Sequence, residues 1–371
     1  MRESFLEQLE TPCIVIERDV AEKNIRRMQD IADRAGVKLR PHIKTHKMTE
    51  YARLQLENGA CGITCAKVSE AEMMARAGVD DIFIAYPLVG QFRINRALAL
   101  CKQCRRLILA VDSKETVLML SRAAVREGIE VEVRLEVDIG AKRTGIPMER
   151  ALWLARQISA CPGIKLTGIY AFKSMIWHDR PTQARKRAGE EEGQLMWELA
   201  VRLREEGLDI KDISAGSTPT GDIAAETGKV TEIRPGTYIF NDHMLCCEGW
   251  ATDGEIAGHI YATVVSTPYP SYAVIDGGTK TFPTDVPLEQ PPYYYPGYAL
   301  IEGRPDLRLV RLNEEHGIIE SRTGQTGLRV GQVMKLIPIH ICTAINMQNS
   351  VYEHSGKRLR KIPVDARGML V

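Results

Sequence analysis

A lysine with basic and imidazole neighbours is the residue of this sequence best suited to covalent chemistry. Lys44 lies in the segment RPHIKTHK (Arg40 to Lys47), which closes a strand-like run, Val37 to Arg40, and precedes a helix opening near Met48. A side chain at the end of a strand reaches into a site, and an amine there can form a Schiff base with a cofactor aldehyde. A solvated basic turn is the alternative, and for an isolated motif of this kind it is the better interpretation.

Two glycine- and hydroxyl-containing segments follow the last two predicted strands, SAGSTPT from Ser214 and RPGTY from Arg234. Glycine lets the backbone approach a ligand closely, and hydroxyls and amides ahead of a helix can hold an anion. Each segment alone is an ordinary loop. As a pair at the seventh and eighth strands, with Lys44 after the first, they indicate pyridoxal phosphate. The predicted phosphate-binding residues are Gly216, Ser217, Thr218, Gly236, Thr237 and Tyr238.

Three further candidates follow the fifth and sixth predicted strands. Arg143 can hydrogen-bond the cofactor's phenolic oxygen or a substrate carboxylate, while an ion pair with Asp138 is the structural alternative. Tyr170 points towards the end of its strand and can meet the pyridine nitrogen. His178 is by default a surface histidine, but its place after a barrel strand makes it a candidate general base.

A histidine and a cysteine two residues apart form a second cluster. Period-two spacing on a strand puts His340 and Cys342 on one face, where both can reach one metal ion. A buried histidine and cysteine without a metal is the alternative. Thiolate and imidazole favour zinc, with manganese or magnesium as the harder alternatives. Open coordination positions, filled by water or substrate, suit a catalytic site.

Eight strand–helix units position these candidates. The apolar strand-like runs alternate with amphipathic segments, which is typical of a parallel sheet buried on both faces. Eight units in about 220 residues predict a closed (β/α)8 barrel rather than an open sheet. The predicted strands are Val37–Pro41, Cys61–Ala66, Asp81–Tyr86, Leu107–Val111, Val131–Val137, Leu166–Phe172, Ile210–Ala215 and Val230–Ile233.

The sequence after about Cys247 changes to short alternating strands and turns, which predicts a mainly-β domain with one long loop from Pro287 to Tyr298. We expect a barrel over residues 19–247 and a β domain formed by residues 1–18 and 248–371. The predicted strands of that domain are His259–Ser266, Tyr272–Ile275, Val333–Pro338 and a closing hairpin over Val351–Lys361.

Composition excludes several classes of partner. The 371 residues carry a net charge of +1, so neither nucleic acid nor an anionic membrane is an expected partner. No apolar run is long enough to span a membrane, and the stretch Met1 to Glu10 is too polar for a secretory signal. Nine cysteines argue against a fully paired disulfide framework, and Cys101 with Cys104 are best explained as two reduced thiols on a helix. We therefore expect a cytoplasmic protein.

Motifs along nearly the whole chain resemble one family. The sequence is similar to fold-type III pyridoxal-phosphate enzymes, which share the alanine racemase barrel, and among them to the metal-dependent D-threonine aldolase and D-serine dehydratase family. The motifs that carry the resemblance are Thr11-Pro12, Arg40 to Lys47, Gly62 to Lys67 with Glu70-Ala71-Glu72, Glu136 to Gly140, Arg143-Thr144-Gly145, Gly216 to Thr220, Asp276-Gly277-Gly278, Glu315-His316-Gly317, His340-Ile341-Cys342 and Ala366-Arg367-Gly368.

This resemblance implies a cofactor site. It implies that Lys44 carries pyridoxal phosphate, that Arg143 and Tyr170 contact its ring, and that residues 216–218 and 236–238 hold its phosphate. In this fold the β domain of one subunit usually completes the site of another, so a homodimer is expected.

The resemblance also implies that His340 and Cys342 bind a divalent metal and that His178 takes the position of the catalytic base of the aldolases. Two features depart from the aldolase pattern. Cys342 stands where aldolases often have aspartate and is more like the zinc-dependent dehydratases. Phe172-Lys173-Ser174 replaces a loop of small residues or histidine.

The expected activity is cleavage of a β-hydroxy-D-amino acid, such as D-threonine, to glycine and an aldehyde. The alternative is a dehydratase of D-serine or D-3-hydroxyaspartate, which releases an oxo acid and ammonia. An amino-acid racemase and a non-catalytic pyridoxal-phosphate carrier are less favoured. The racemase needs a second base from the β domain, and the carrier leaves that domain and its metal pair without a role.

Overall fold

The structure, a computed structural model, describes residues 5–371 and divides into two compact units. The barrel unit contains residues 26–44, 48–236 and 369–371, and the β unit contains residues 5–25, 45–47 and 237–368. Residues 1–4, part of the predicted segment 1–18 and of the stretch tested for a signal, lie outside the described residues. The domain boundaries at 19 and 247 stay a prediction.

Strand β1 (Cys13–Glu17) and helix α1 (Arg18–Ala35) are the first strand and the first α-helix of the described residues. Ala21, Ile25, Met28 and Ala32 recur every three or four positions along this helix, and all four are buried. No helix within residues 5–371 is both long enough and apolar enough to cross a bilayer.

Eight parallel strands form the barrel, so the predicted fold class is confirmed. Their order is β2-β12-β11-β8-β6-β5-β4-β3, and a parallel bridge between His42 and Thr64 joins the two ends of this order. Val, Ile and Leu recur along these strands, as expected where both faces of a parallel sheet are covered. The eight strands are β2 (Lys38–Leu39), β3 (Ile63–Cys65), β4 (Asp81–Pro87), β5 (Arg106–Val111), β6 (Val131–Asp138), β8 (Ile164–Tyr170), β11 (Asp212–Ser214) and β12 (Glu232–Ile233). The short β7 (Ile146–Pro147) pairs with β6, and β9 (Ile176–Trp177) and β10 (Arg180–Pro181) form a separate hairpin.

Helices connect these strands, in the alternation that the sequence predicts. They are α2 (Thr49–Glu57), α3 (Val68–Arg76), α4 (Gln91–Cys101), α5 (Lys114–Glu127), α6 (Ala151–Ser159), α7 (Arg185–Glu205) and α8 (Gly221–Glu226). Helix α5 shows the local signals clearly: the Ser113 hydroxyl accepts the Thr116 amide at its start, and Gly128 ends it in a left-handed conformation.

A buried ion network lies among the barrel strands. Arg40 donates to Glu232 (2.8 Å) and to Asp81 (2.6 Å), while Arg134 donates to Glu232 (2.5 Å) and to Asp212 (2.9 Å). Burial opposes the charge of Glu232, but the two guanidinium groups outweigh it and hold the pKa of this carboxyl far below its usual range. The sequence pattern predicts apolar strands, but the structure shows that these strands also carry buried, paired charges.

The β unit is built around strand β13 (Gly258–Tyr269), in the order β16-β17-β14-β13-β1-β19-β20, with β18 pairing β13 and β15. β1 lies antiparallel to β13 and parallel to β19. Residues 276–298 contain neither helix nor strand, which includes the predicted long loop. The remaining elements are α9 (His243–Cys247), β14 (Tyr272–Ile275), β15 (Ala299–Ile301), β16 (Leu307–Leu312), β17 (Gly317–Ser321), β18 (Val333–Pro338), α10 (Ile341–Met347), β19 (Ser350–Ser355) and β20 (Arg358–Pro363).

The predicted strand geometry of His340 and Cys342 is wrong. Strand β18 ends at Pro338, His340 is the N-cap of α10, and Cys342 lies in the first turn of that helix. The period-two argument fails because the strand does not continue past the proline. The two side chains nevertheless lie close enough for each to shift the pKa of the other.

Candidate active site

Lys44 lies in the turn of 3-10 helix Ile43–Thr45, close behind strand β2, as its position in the sequence predicts. It is half-buried, and its Nζ lies 5.7 Å from the centre of the Phe172 ring. The Arg143 guanidinium carbon lies 4.6 Å from the same ring. One aromatic side chain thus contacts two of the predicted site cations, which is a favourable arrangement for a ring and a positive charge.

The loop that carries Arg143 is shaped by carboxylates. Asp138 Oδ1 accepts the backbone N–H groups of Gly140 (2.9 Å) and Lys142 (3.0 Å), and the Thr144 hydroxyl donates to Glu136 (2.8 Å). Asp138 thus serves the backbone of the loop, whereas the exposed Arg143 side chain lies over Phe172. This favours the ligand-binding interpretation of Arg143 over an ion pair with Asp138.

Tyr170 is the last residue of β8 and is only 2% exposed. Its ring packs edge-on against Phe83 at 4.9 Å, and the Arg234 guanidinium lies 5.1 Å from its centre. Burial and the nearby Glu136 charge raise the pKa of the Tyr170 phenol well above its usual value. A neutral hydroxyl therefore stands at the strand end, where the sequence predicts a partner for the pyridine nitrogen.

The segment Gly216 to Thr218 forms a tight loop built around a buried carboxylate. Glu192 accepts the Gly216 amide (3.1 Å) and the Thr220 hydroxyl (2.7 Å). Burial raises the pKa of Glu192, and Ser217 is bound to Thr220 through both its amide and its hydroxyl. The Thr218 hydroxyl accepts the Gly236 amide (3.2 Å), so the two predicted phosphate segments meet.

Gly216 fits the predicted cofactor by its backbone. Its φ is +95°, and a Cβ there would lie 2.8 Å from the Cα of Gly221, at the start of α8. Only glycine allows both this conformation and this approach of backbone to backbone. The residues present therefore fit a phosphate group held by glycine, hydroxyls and the amides before a helix.

A Gly216→Ala substitution is expected to weaken retention of pyridoxal phosphate by about 10-fold or more, since the loop must shift to admit the Cβ. The dissociation constant of the cofactor, followed by its visible absorbance during dialysis, measures this. Gly228→Ala is the matched control, because Gly228 also has a positive φ (+67°) but nothing lies within 4 Å of the added carbon. Equal weakening in both variants would contradict the assignment.

The side chains of Thr237 and Cys342 meet in the β unit. The Thr237 hydroxyl lies 3.4 Å from Cys342 Sγ, and the Thr45 hydroxyl lies 3.2 Å from the same sulfur. Tyr238, predicted with Thr237 as a phosphate residue, is fully buried. Both residues lie in the 3-10 helix Thr237–Ile239. Thr45 directly follows Lys44 in the chain. The lysine predicted to bind the cofactor is therefore next in sequence to a residue that contacts Cys342, the predicted metal ligand.

His340 and Cys342 shift each other's pKa in the directions that favour an imidazolium and a thiolate. Burial opposes both charges, but the charge and hydrogen bond of His340 lower the pKa of the Cys342 thiol, and Cys342 with Asp285 raises the pKa of His340 well above its usual value. His340 Nδ1 lies 2.6 Å from Asp285 Oδ2, and Thr343 donates to the other oxygen of Asp285 (3.1 Å).

This donor set fits a metal with two protein ligands. A metal-binding histidine commonly holds a carboxylate with its second nitrogen, as His340 holds Asp285, and a deprotonated thiol suits zinc. Within residues 5–371, no three His, Cys, Asp or Glu side chains lie together in a metal-binding group. Further coordination positions would thus fall to water or substrate.

His178 lies in the tip of the hairpin β9–β10. Its side chain is 71% exposed, and its Nδ1 lies 2.9 Å from Glu191 on helix α7. The hairpin packs on the loop after β6, because a Cβ on Gly140 would meet Asp179 at 2.7 Å. The structure therefore places His178 and Arg143 on adjoining segments of the barrel unit.

Sequence reasoning missed several residues of this region. Asp285 lies 55 positions before His340 in a loop without a pattern, and Glu192 is one of many charges on α7. Glu191 likewise gives no signal of its own. Phe172 is the exception, since its departure from the family loop marks it before its contacts with Lys44 and Arg143 are known.

Two family models match the chain. The alanine racemase N-terminal domain matches residues 16–243, and a serine dehydratase domain matches residues 257–353. The chain is 32% identical to a D-threonine aldolase of Arthrobacter sp. over 93% of its length and 89% of the relative. It is 31% identical to a 3-hydroxy-D-aspartate aldolase of Paracoccus denitrificans (strain Pd 1222), covering 97% of the chain and 93% of the relative.

Solved structures agree with these similarities. D-threo-3-hydroxyaspartate dehydratase from Delftia sp. HT23 is 29% identical, with a TM-score of 0.87, and 96% of this chain and 97% of that one are covered. A cysteine-to-alanine mutant of a D-threo-3-hydroxyaspartate dehydratase, described as being in the metal-free form, has a TM-score of 0.86 at 28% identity. The chain therefore belongs to the alanine racemase-like family of pyridoxal-phosphate enzymes that carry a C-terminal serine dehydratase domain.

Proposed function

We propose that this protein is a lyase that cleaves a β-hydroxy-D-amino acid of the D-threonine type to glycine and an aldehyde. The observation that carries the proposal is the adjacency of two chemistries in the chain: Lys44 lies in the 3-10 helix that follows strand β2, and the next residue, Thr45, contacts the Cys342 sulfur. Similarity of about 30% to aldolases over most of the chain supports the same reaction.

The barrel unit supplies the proposed cofactor site. Lys44 would hold the aldehyde carbon, the loops at Gly216 and Gly236 the phosphate, and the neutral Tyr170 hydroxyl the pyridine nitrogen. A phenol there leaves the ring less electron-withdrawing than a carboxylate would. Arg143, stacked on Phe172, would bind the substrate carboxylate or the phenolic oxygen. Pyridoxal phosphate, when bound, accepts the electron pair that the substrate Cα gains when a bond to it breaks.

The β unit supplies the proposed metal site. His340 and Cys342 would hold a divalent ion, with zinc favoured by the thiolate and with manganese or magnesium as alternatives. Such a metal, when bound, lowers the pKa of a hydroxyl that it contacts. His178 would take the proton of the substrate β-hydroxyl as the Cα–Cβ bond breaks.

A dehydratase is the second candidate, and the presence of a cysteine at position 342, where aldolases often have aspartate, favours it. A dehydratase from Delftia has the same fold over nearly the full chain. In this reaction Lys44 would remove the α-proton and the β-hydroxyl would leave, giving an oxo acid and ammonia. His178 would then have no role in the proton transfer.

A product assay on the metal-loaded holoenzyme tests the proposal. We expect D-threonine and other β-hydroxy-D-amino acids to yield glycine and an aldehyde, and we expect EDTA to remove most of this activity until zinc or manganese is restored. An oxo acid and ammonia from D-serine or D-3-hydroxyaspartate, without glycine, would identify a dehydratase instead. Full activity in EDTA would remove the metal from the mechanism. The family resemblance alone supports a homodimer, which stays a prediction.

A further inference from the structure

We infer that Glu191 and Lys173 are positioning residues for His178, fixing its ring so that Nε2 is the nitrogen that accepts a proton from substrate. The inference rests on the proposed function, in which His178 is the base. It concerns three side chains of the barrel unit: the buried Lys173 after strand β8, Glu191 on helix α7, and His178 in the hairpin between them.

Glu191 holds His178 at two points. Its Oε1 lies 2.9 Å from the Nδ1 atom of the ring, and its Oε2 accepts the backbone N–H of His178 at 3.2 Å. A carboxylate only accepts hydrogen bonds, and a neutral imidazole carries one N–H. Because Nδ1 faces a carboxylate oxygen at 2.9 Å, we expect the neutral ring to carry its hydrogen on Nδ1, which leaves the lone pair on Nε2.

The backbone conformation at the hairpin tip is consistent with His178 being held in place by its neighbours. His178 and Asp179 both have positive φ values, +47° and +59°, as the two central residues of a type I′ turn require. Residues other than glycine adopt this region infrequently, although histidine and aspartate do so more often than most, and the turn is also stabilised by contacts around it. The bonds from Glu191 and the packing of the His178 ring on Trp177, with centres 4.4 Å apart, supply such contacts.

Lys173 anchors Glu191 from the other side. It is 1% exposed, and its Nζ forms an ion pair with Glu191 Oε2. A buried ammonium group requires a partner of opposite charge, so this contact is not an ordinary surface pair of small effect. Burial raises the pKa of the Glu191 carboxyl, but the hydrogen bond and charge of Lys173 outweigh it, and the pKa lies below its usual value.

The other charges near the hairpin tip lie elsewhere. Arg187 of α7 lies over the Trp177 ring, with its guanidinium carbon 4.7 Å from the ring centre. Asp179 points its carboxylate at Gly140, in the loop after β6, so closely that a Cβ there would lie 2.7 Å away. Glu191 is thus the carboxylate that bonds the His178 ring, and Lys173 is the cation that bonds Glu191.

This arrangement suits a base that acts on the β-hydroxyl. As the substrate O–H bond breaks, a new N–H bond forms at Nε2, the former O–H pair closes the aldehyde C=O bond, and the Cα–Cβ pair stays with Cα. The ring then carries a positive charge, which the Glu191 carboxylate stabilises at the opposite nitrogen. The same division of roles between base and orienting carboxylate operates in hydrolase triads.

Glu191→Gln in the metal-loaded holoenzyme tests the inference, since it keeps the shape and removes the charge. We expect kcat for glycine formation to fall by about 10- to 100-fold, as is typical when an orienting partner is lost, with the visible absorbance of the cofactor unchanged. Glu191→Asp should recover part of the loss. Glu190→Gln is the matched control on the same helix, because Glu190 is exposed and contacts only Lys186 among the ion pairs found within residues 5–371.

Two measurements separate a positioning role from a structural one. In a His178→Ala background, adding Glu191→Gln should cause no further loss, whereas an equal additional loss would overturn the inference. With ¹⁵N-labelled histidine, the resonance pair absent from His178→Gln should show the hydrogen on Nδ1, and Glu191→Gln should move it towards Nε2. An unchanged tautomer in Glu191→Gln would overturn the inference whatever the activity.

Failure of the proposed function gives a different result. If His178→Ala leaves glycine formation intact, the assignment of the base is wrong, whether or not the tautomer of His178 responds to Glu191. If His178→Ala abolishes the reaction but Glu191→Gln does not change the tautomer of His178, the assignment of His178 as the base is supported. The positioning role of Glu191 is then refuted. Lys173→Met offers a second variant, which should reproduce the Glu191→Gln tautomer shift because Glu191 loses its anchor.

Discussion

Replacement of Lys44 by alanine is expected to abolish turnover, with a loss of at least about 1,000-fold in kcat for every substrate the enzyme accepts. The amine is the group that attaches the cofactor aldehyde, and both the aldolase and the dehydratase reactions require it. Purified wild-type protein should be yellow and should yield, after borohydride reduction, a cofactor-labelled peptide containing residue 44. The alanine variant should lose this adduct.

Lys44→Arg separates charge from covalent chemistry. Arginine keeps the positive charge beside Phe172, which now lies 5.7 Å from the Lys44 ammonium, but its guanidinium does not form the same covalent link. It should be as inactive as alanine. Lys186→Ala is the control, since Lys186 is 82% exposed on α7. A coloured, active arginine variant, or a labelled peptide elsewhere in the chain, would refute the assignment of the cofactor lysine.

The barrel could be predicted because its strands are short apolar runs at regular spacing. Eight runs between Val37 and Ile233 each overlap one strand of the structure. Buried parallel strands carry this signal in their own residues. The predicted strand across His340 and Cys342 was wrong, because the apolar run on both sides of Pro338 looks continuous in the sequence. Only the fold shows that the strand ends at Pro338.

Charges inside the barrel could not be predicted. Arg134 and Glu232 sit within strands and look like interruptions of an apolar pattern, but they pair across 98 positions of sequence. A buried charge is tolerable only with its partner in place, and the partner is set by strand order. Sequence periodicity gives the existence of each strand and says nothing of its neighbours.

The site followed the same division. Lys44, Tyr170 and Gly216 could be proposed because a barrel places functional residues at strand ends, and strand ends can be predicted from sequence. Asp285, Glu191 and Glu192 act through a contact with another side chain, and such contacts depend on how helices and loops fold back. These are the residues that turn a list of candidates into specific hypotheses about a nitrogen or a backbone amide.

His178→Ala should divide the two candidate reactions. Loss of a general base costs about 100- to 10,000-fold in rate, so glycine formation from D-threonine should fall by that amount. Dehydration driven by removal of the α-proton at Lys44 should largely survive. The ratio of glycine to oxo acid, measured for one variant on a panel of β-hydroxy-D-amino acids, is therefore more informative than either rate alone.

The control for this variant is His316→Ala, since His316 is an exposed histidine of the β unit, in the turn before β17. It should leave both products unchanged. If His178→Ala keeps its glycine formation, the base is another group, and the contact of the His178 ring with Glu191 then only stabilises the hairpin. If both reactions fall together while the cofactor stays bound, His178 positions the substrate for either outcome. Exchange of the α-proton in D₂O decides this case, because exchange at Lys44 requires bound substrate and no proton transfer at His178.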